Sequence, residues 1–288
     1  MKESPIFIIG SGRSGTTLLY ELLCKHEKLA WASNFTNRMP TIPHAVFLSR
    51  FSLLRQFRLF NPAHETIEGY RYCGIDSFRF PITSSELLED TNSEKLEFSK
   101  RRMSKYFSVH CKAFGRDRFL SKNTANSMRI DLLNLLFPDA KFIHIHRNPY
   151  GVISSLLHVR FWPNLNLWWS DSTPSELESR GVDKYLVAGT HWAKQLESIC
   201  RSSESVQSGC FLNISYEDLV TDTNGSMEKI VDFCELGFSS AFRSEIDGAA
   251  VSRGSLDKWK QNGDAELFAA ANPAIEEMAS RLGYKLLE

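Results

Sequence analysis

The feature that most constrains the chain is the junction Pro5-Ile6-Phe7-Ile8-Ile9-Gly10-Ser11-Gly12-Arg13-Ser14-Gly15-Thr16-Thr17-Leu18-Leu19. A short apolar run bounded by glycine reads as a buried strand, and the amphipathic segment from Thr16 to about Lys25 reads as a helix. Strand, glycine loop and helix in that order describe a phosphate-binding turn of an α/β sheet. The usual nucleoside-triphosphate loop reads G-x-x-x-x-G-K-[ST], whereas here Gly10 to Gly15 keeps the spacing and Thr16 stands in place of the lysine. Such a loop holds a phosphate but is not built for ATP.

The backbone carries this reading, because Gly10, Gly12 and Gly15 permit positive φ and close approach, so that successive N–H groups point at an anion. The dipole of the following helix adds to them. Thr16 can neither reach the β and γ phosphates nor carry charge. Arg13, within the loop, offers a guanidinium suited to a planar group rich in oxygens.

A second junction, Ala140-Lys141-Phe142-Ile143-His144-Ile145-His146-Arg147-Asn148-Pro149, is an alternating apolar strand that stops at Asn-Pro and resumes as a helix. Arg147 therefore falls at the carboxyl end of a strand, where open α/β sheets bind ligands. Ser155 follows on the helix, near enough for a hydroxyl and a guanidinium to grip one phosphate. Two anion sites suit a bis-phosphorylated nucleotide better than ATP.

Gly12-Arg13-Ser14-Gly15-Thr16-Thr17 resembles the 5′-phosphosulfate loop of sulfotransferases that use 3′-phosphoadenosine 5′-phosphosulfate, in the branch whose loop reads P-R-S-G-T-T; the departure is Gly12 for Pro. Arg147 and Ser155 match the R-D-P-x-x-x-x-x-S pattern that binds the 3′-phosphate, with Asn148 replacing the Asp that often orients the arginine. The resemblance extends to Lys122 in Leu120-Ser121-Lys122-Asn123-Thr124, a lysine that approaches the sulfonate, and to Tyr216 in Tyr216-Glu217-Asp218-Leu219, which contacts the adenosine side. Arg253 and Gly254, before Lys258-Trp259-Lys260, are similar to the basic loop that closes over the 3′-phosphate. Motifs in family order run from Pro5 to Trp259.

The resemblance implies a three-layer P-loop-like α/β fold with a central, mainly parallel sheet flanked by helices. It implies one sulfotransferase domain over residues 1–288, with residues 34–115 and 160–182 as acceptor-side insertions. It also implies in-line sulfuryl transfer to a hydroxyl or amine, with Arg13, Lys122 and the loop N–H groups stabilising the charge on the leaving phosphate oxygen, adenosine 3′,5′-bisphosphate released and no metal required. The resemblance gives Glu68 as general base, by analogy with a glutamate that follows a Pro-containing loop in bacterial relatives. Glu65, His44 and Asp76 remain rivals, because geometry decides a base. The alternative readings are a P-loop kinase of a small metabolite and a nucleotide-binding module without catalysis; Thr16 and Arg147 stand where the kinase needs a lysine and an acidic Mg²⁺ ligand.

Composition narrows the partners. Lys plus Arg and Asp plus Glu are equal at 34 each, so charge does not suggest a nucleic-acid partner. No apolar run is long enough for a membrane span and no signal segment precedes the first strand, which together suggest a cytoplasmic chain. The six cysteines show no C-x-x-C pairing and are expected to be reduced and buried. The sequons at Asn34, Asn213 and Asn224 read as chance, Asn213 falling within an expected buried strand.

The acceptor is expected to be a small molecule, glycan or lipid. Phe161-Trp162-Pro163-Asn164-Leu165-Asn166-Leu167-Trp168-Trp169 reads as either a lid over an apolar or sugar-bearing acceptor or a packed satellite of the core. His144 and His146 share one side of a strand without a third ligand at metal-binding spacing, and so read as sheet-lining residues. Further helices are expected over 86–110, from after Lys122 to about Phe137, and over 182–200, 227–237 and 276–282.

Overall fold

A computed structural model describes residues 4–50, 58–75, 93–252, 254, 256–261 and 265–287. Five parallel strands stand in the order β2-β3-β1-β4-β5: β1 Ile6–Ile9, β2 Leu29–Ala30, β3 Arg118–Lys122, β4 Lys141–His146 and β5 Phe211–Ser215. Strand β2 has no strong pattern of its own, being two residues long.

The three layers follow from the alternation of side chains along each strand. Phe7 and Ile9 of β1 and Phe142 of β4 enter a core with the helices Ser93–Phe114, Ile130–Leu136, Pro149–Leu157, Lys184–Ser203 and Asn272–Arg281. On this side Phe7 stacks on Phe142 at 5.4 Å between ring centres. Ile6, Ile8, Ile143 and Ile145 face the other way, against helix α1 Thr16–Leu23 and the helices Tyr216–Thr221, Thr223–Phe233 and Ser240–Asp247. Since β1 is buried on both faces, it reads in sequence as an unbroken apolar run rather than an alternating one.

Several boundaries differ from the expectations. The segment after Lys122 splits into a 3₁₀ turn Thr124–Met128, capped by Asn123, and the helix Ile130–Leu136. The helix expected over 227–237 is Thr223–Phe233, because Asp222 accepts the Gly225 N–H as its cap and the left-handed Glu235 and Gly237 end it. Of the expected helix over 86–110, Ser93–Phe114 is helical and the part before it lies outside the described residues. Strand β5 lies at the sheet edge and Asn213 is exposed there, which corrects its reading as a buried position. Cys200 is half-buried, unlike the other five cysteines.

His144 and His146 lie on the buried side of β4, at 1% and 9% exposure. The Asn213 carboxamide oxygen sits 2.7 Å from His144 Nδ1, which donates to it. Tyr284 spends its hydroxyl proton on Glu217 Oε2, at 3.0 Å, so His146 Nδ1, 2.8 Å from the same hydroxyl, is the donor there. Burial holds both imidazoles below their ordinary pKa, at about 3 and about 4 respectively.

Candidate active site

The carboxyl ends of β1, β3 and β4 open into a cavity of about 1400 Å³. At its floor helix α1 begins, with Gly15 as a left-handed N-cap (φ 94°) that makes no side-chain cap bond, and with no acidic residue in the first turn. The N–H groups of that turn have no intrahelical partner and leave a positive end for an anion. Gly15 is required as well by packing, since a Cβ there would stand 2.3 Å from Tyr216 Cδ2. The second left-handed residue of the loop is Arg13 (φ 71°) rather than the expected Gly12. The Ser11 and Ser14 hydroxyls bond each other inside the loop, and the Gly12 N–H donates to Gln195 Oε1 at 3.3 Å.

Lys122 ends β3 beside this helix start, its side chain 4% exposed. Its ammonium donates to Thr17 Oγ1 at 3.2 Å and pairs with Glu65. The second carboxylate oxygen of Glu65 accepts the Thr124 N–H at 2.9 Å. This geometry has a local cause: the Thr66 N–H donates to the Lys122 carbonyl at 3.3 Å, tying the preceding residue to the strand end.

Glu68, expected as the base, is not at this place. The helix Ile67–Tyr72 turns Gly69 and Tyr70 into the core against Tyr106 and Ser121, which puts Glu68 on the outer face. There it forms an ion pair with Arg71 at 2.9 Å and does not line the cavity. His44 is exposed and also absent from the wall, while Asp76 lies outside the described residues. Glu65 is the rival base candidate that reaches the cavity. Nothing in the apolar periodicity around it marks it, because its position depends on a bond to a strand more than fifty residues away.

At the other end, the Arg147 guanidinium lies 4.5 Å above the Tyr216 ring and donates to the Arg13 carbonyl at 3.3 Å. Burial pushes its pKa down, while Tyr216 and Glu217 push it up. Arg13 Nε donates to Ser155 Oγ at 2.9 Å, so this guanidinium is turned toward Arg147's end of the cavity and away from Lys122. Asn148 caps the helix Pro149–Leu157 by accepting the Tyr150 N–H at 3.0 Å, and Glu217 accepts the Asn148 N–H at 3.0 Å. A carboxylate from the next strand's turn thus stands beside the arginine where the family Asp is missing.

The cavity therefore brings together Gly12, Arg13, Gly15, Thr16, Thr17, Lys122, Arg147, Ser155 and Tyr216, with Ser14 buried beneath the loop. Gly254 is exposed and off the wall, Arg253 lies outside the described residues, and Lys258 and Trp259 of the same segment line the cavity. The aromatic loop is partly core and partly wall. Trp162 and Leu167 are buried in the core, Phe161 stands 56% exposed at the rim, and Leu165 and Trp168 face the cavity. His191 and Gln195, neither marked by any motif, complete that wall from the helix Lys184–Ser203. Among the described residues no group of three or more His, Cys, Asp or Glu is placed to hold a metal ion, and no helix is long and apolar enough to cross a membrane.

Comparison with known proteins agrees with this architecture. The omega-hydroxy-beta-dihydromenaquinone-9 sulfotransferase Stf3 of Mycobacterium tuberculosis, and that of Mycobacterium bovis, are each 27% identical over 256 residues, covering 82% of this chain. The chain spans about 63% of the length of these relatives. The sulfotransferase STF9 from Mycobacterium avium has the same fold, with a TM-score of 0.62 and 18% identity over 100% of this chain and 79% of that one. A mouse sulfotransferase, SULT7A1, crystallised with PAP, follows at a TM-score of 0.50 and 14% identity over 96% of this chain and 84% of that one. A family model described as the sulfotransferase family matches residues 5–240, and with this match the chain belongs to the sulfotransferase family.

Proposed function

We propose that the chain, acting as one domain, transfers a sulfuryl group from 3′-phosphoadenosine 5′-phosphosulfate to the hydroxyl or amine of a small-molecule or lipid-linked acceptor. The observation that carries this reading is the pair of cationic positions flanking one uncapped helix start, Lys122 at Thr17 on one side and Arg147 with Ser155 on the other. A nucleotide with a 5′-phosphosulfate and a 3′-phosphate has two anionic ends to match them. The donor fits the loop: the first-turn N–H groups are free of side-chain caps, and a Cβ built on Gly12 meets nothing within 4 Å, leaving room for an anion to approach the backbone.

In this reading Gly12 to Thr17 hold the 5′ end, and Arg147, Ser155 and Arg13 hold the 3′-phosphate. Tyr216 supports the arginine and the loop, and Arg253 and Gly254 belong to the closing segment. Glu65 takes the proton of the acceptor as its oxygen bonds to sulfur. Electron density from the breaking sulfur–oxygen bond collects on the bridging phosphate oxygen, where Lys122 and the helix N-terminus stabilise it. Proximity of base, cation and loop in one cavity supplies the orientation such a displacement needs. Residues 34–115 and 160–182 contribute the acceptor side through His64, Glu65 and Ile67 and through Phe161, Leu165 and Trp168. The Stf3 relatives act, by name, on a menaquinone derivative, and the SULT7A1 structure contains PAP; both accord with a nucleotide donor and an apolar acceptor.

Calorimetric titration with adenosine 3′,5′-bisphosphate beside ATP with Mg²⁺ tests the reading. The bisphosphate is expected to bind the tighter of the two; tighter binding of ATP overturns it.

A further inference from the structure

The acceptor-side wall contains two buried polar side chains that the transfer chemistry above does not use. His191 and Gln195 are 5% and 8% exposed, and they stand one turn apart on the same face of the helix Lys184–Ser203. Each has its accepting atom occupied by a donor from the protein. The Trp169 indole N–H donates to His191 Nδ1 at 3.3 Å, and the Gly12 N–H donates to Gln195 Oε1 at 3.3 Å.

The consequence concerns the atoms left over. A neutral imidazole has one donor nitrogen and one acceptor nitrogen, so the bond at Nδ1 puts the proton on Nε2. Burial holds the ring neutral, with its pKa lowered to about 4. His191 Nε2 and the Gln195 amide nitrogen have no protein partner among the described residues. They are not sealed in the packing as the indole nitrogens of Trp162 and Trp192 are. A buried donor with no acceptor is costly, and such a group facing a cavity marks what the cavity is shaped to receive. His191 packs edge-on against the Trp162 ring and beside Trp169, and the cavity it lines also holds the apolar side chains of Leu165, Trp168 and Phe161.

Resting on the sulfotransferase reading, we infer that His191 is a specificity-determining residue. Its Nε2–H, about 6 Å along the helix from the Gln195 that touches the phosphosulfate loop, receives a carbonyl or ether oxygen of an uncharged, otherwise apolar acceptor. The acceptor class is then an apolar alcohol or phenol bearing a second oxygen that can only accept a hydrogen bond. A cationic acceptor is disfavoured at this wall, because the groups facing it are donors. A plain hydrocarbon alcohol is disfavoured too, because it leaves the imidazole N–H unpaired.

The test uses 4-hydroxyacetophenone and 4-ethylphenol, which share a skeleton and differ in the carbonyl oxygen. Both are titrated into wild-type protein and His191→Phe in the presence of adenosine 3′,5′-bisphosphate. Wild type is expected to bind the ketone about tenfold more tightly, and His191→Phe to bind the two alike, with His191→Asn restoring part of the preference through its remaining N–H. Comparing variants cancels the difference in phenol acidity. Equal binding of the two probes by wild type, binding of neither, or an undiminished preference in His191→Phe overturns the inference. Imidazole ¹⁵N spectra of the wild-type protein provide a check independent of variant folding: Nε2 is expected protonated and Nδ1 bare, and the reverse overturns it. The bisphosphate titration is read first, so that failure of nucleotide binding, which sinks the sulfotransferase reading, is distinguished from loss of the ketone preference alone.

Discussion

At the scale of the residue, two glutamates three positions apart have opposite fates. Glu65 reaches the cavity because Thr66 is bonded to the end of β3, and its carboxylate meets Lys122 and the Thr124 N–H. Glu68, in the first turn of the next helix, meets Arg71 and solvent. Spacing in the sequence does not separate them, since both follow the same proline-containing stretch; a backbone bond across the fold does. Glu65→Gln is expected to lower the sulfonate-transfer rate by about 10²- to 10⁴-fold while adenosine 3′,5′-bisphosphate still binds. Glu68→Gln, which touches one exposed ion pair, is expected to leave transfer within about twofold. Single-turnover kinetics of both variants check the pair, and a rate loss in Glu68→Gln with none in Glu65→Gln would return the base to Glu68.

At the scale of the element, the turn from β4 into the helix Pro149–Leu157 was readable down to its residues. Alternation predicted the strand, Asn-Pro its end, and Arg147 its last projecting group. Asn148 stands where the family pattern has an Asp that often orients the arginine. In the structure Asn148 caps the helix, as Asn does about as well as Asp, and Glu217 supplies a carboxylate bonded to the Asn148 backbone and to Tyr284. That substitute comes from another strand's turn, so no inspection of the β4 segment could find it. Arg147→Ala is expected to weaken adenosine 3′,5′-bisphosphate by about ten- to a hundredfold, the loss of a charge-assisted hydrogen bond of about 1.5–3 kcal/mol, and to leave adenosine 5′-monophosphate unchanged. Parallel titrations check this, and equal losses for both ligands would move the 3′-phosphate elsewhere.

At the scale of the whole molecule, five buried histidines link stability to pH. His110, His144, His146 and His191 are held near pKa values of about 4, 3, 4 and 4, each chiefly by burial, against an ordinary value of 6.5, and burial lowers His26 as well. The folded protein therefore binds fewer protons than the unfolded chain between these values, so stability is full above pH 6.5 and falls as pH drops toward 4. Urea midpoints from pH 7.5 to 4.5 are expected to decline steadily below about pH 6.5, with a shallower decline in His110→Gln; a flat profile would mean that these rings are not held neutral. What the sequence by itself determined was local: the strand, glycine loop and helix, the arginine at a strand end, and the apolar runs of a sheet buried on both faces. These are legible because backbone sterics and side-chain periodicity act over a few residues. The tertiary structure alone decided which glutamate faces the lysine, which way Arg13 turns, and that His191 and Gln195 line the same cavity. Each depends on a hydrogen bond or packing contact between segments far apart in the chain, and no local pattern records where a folded sheet will bring them.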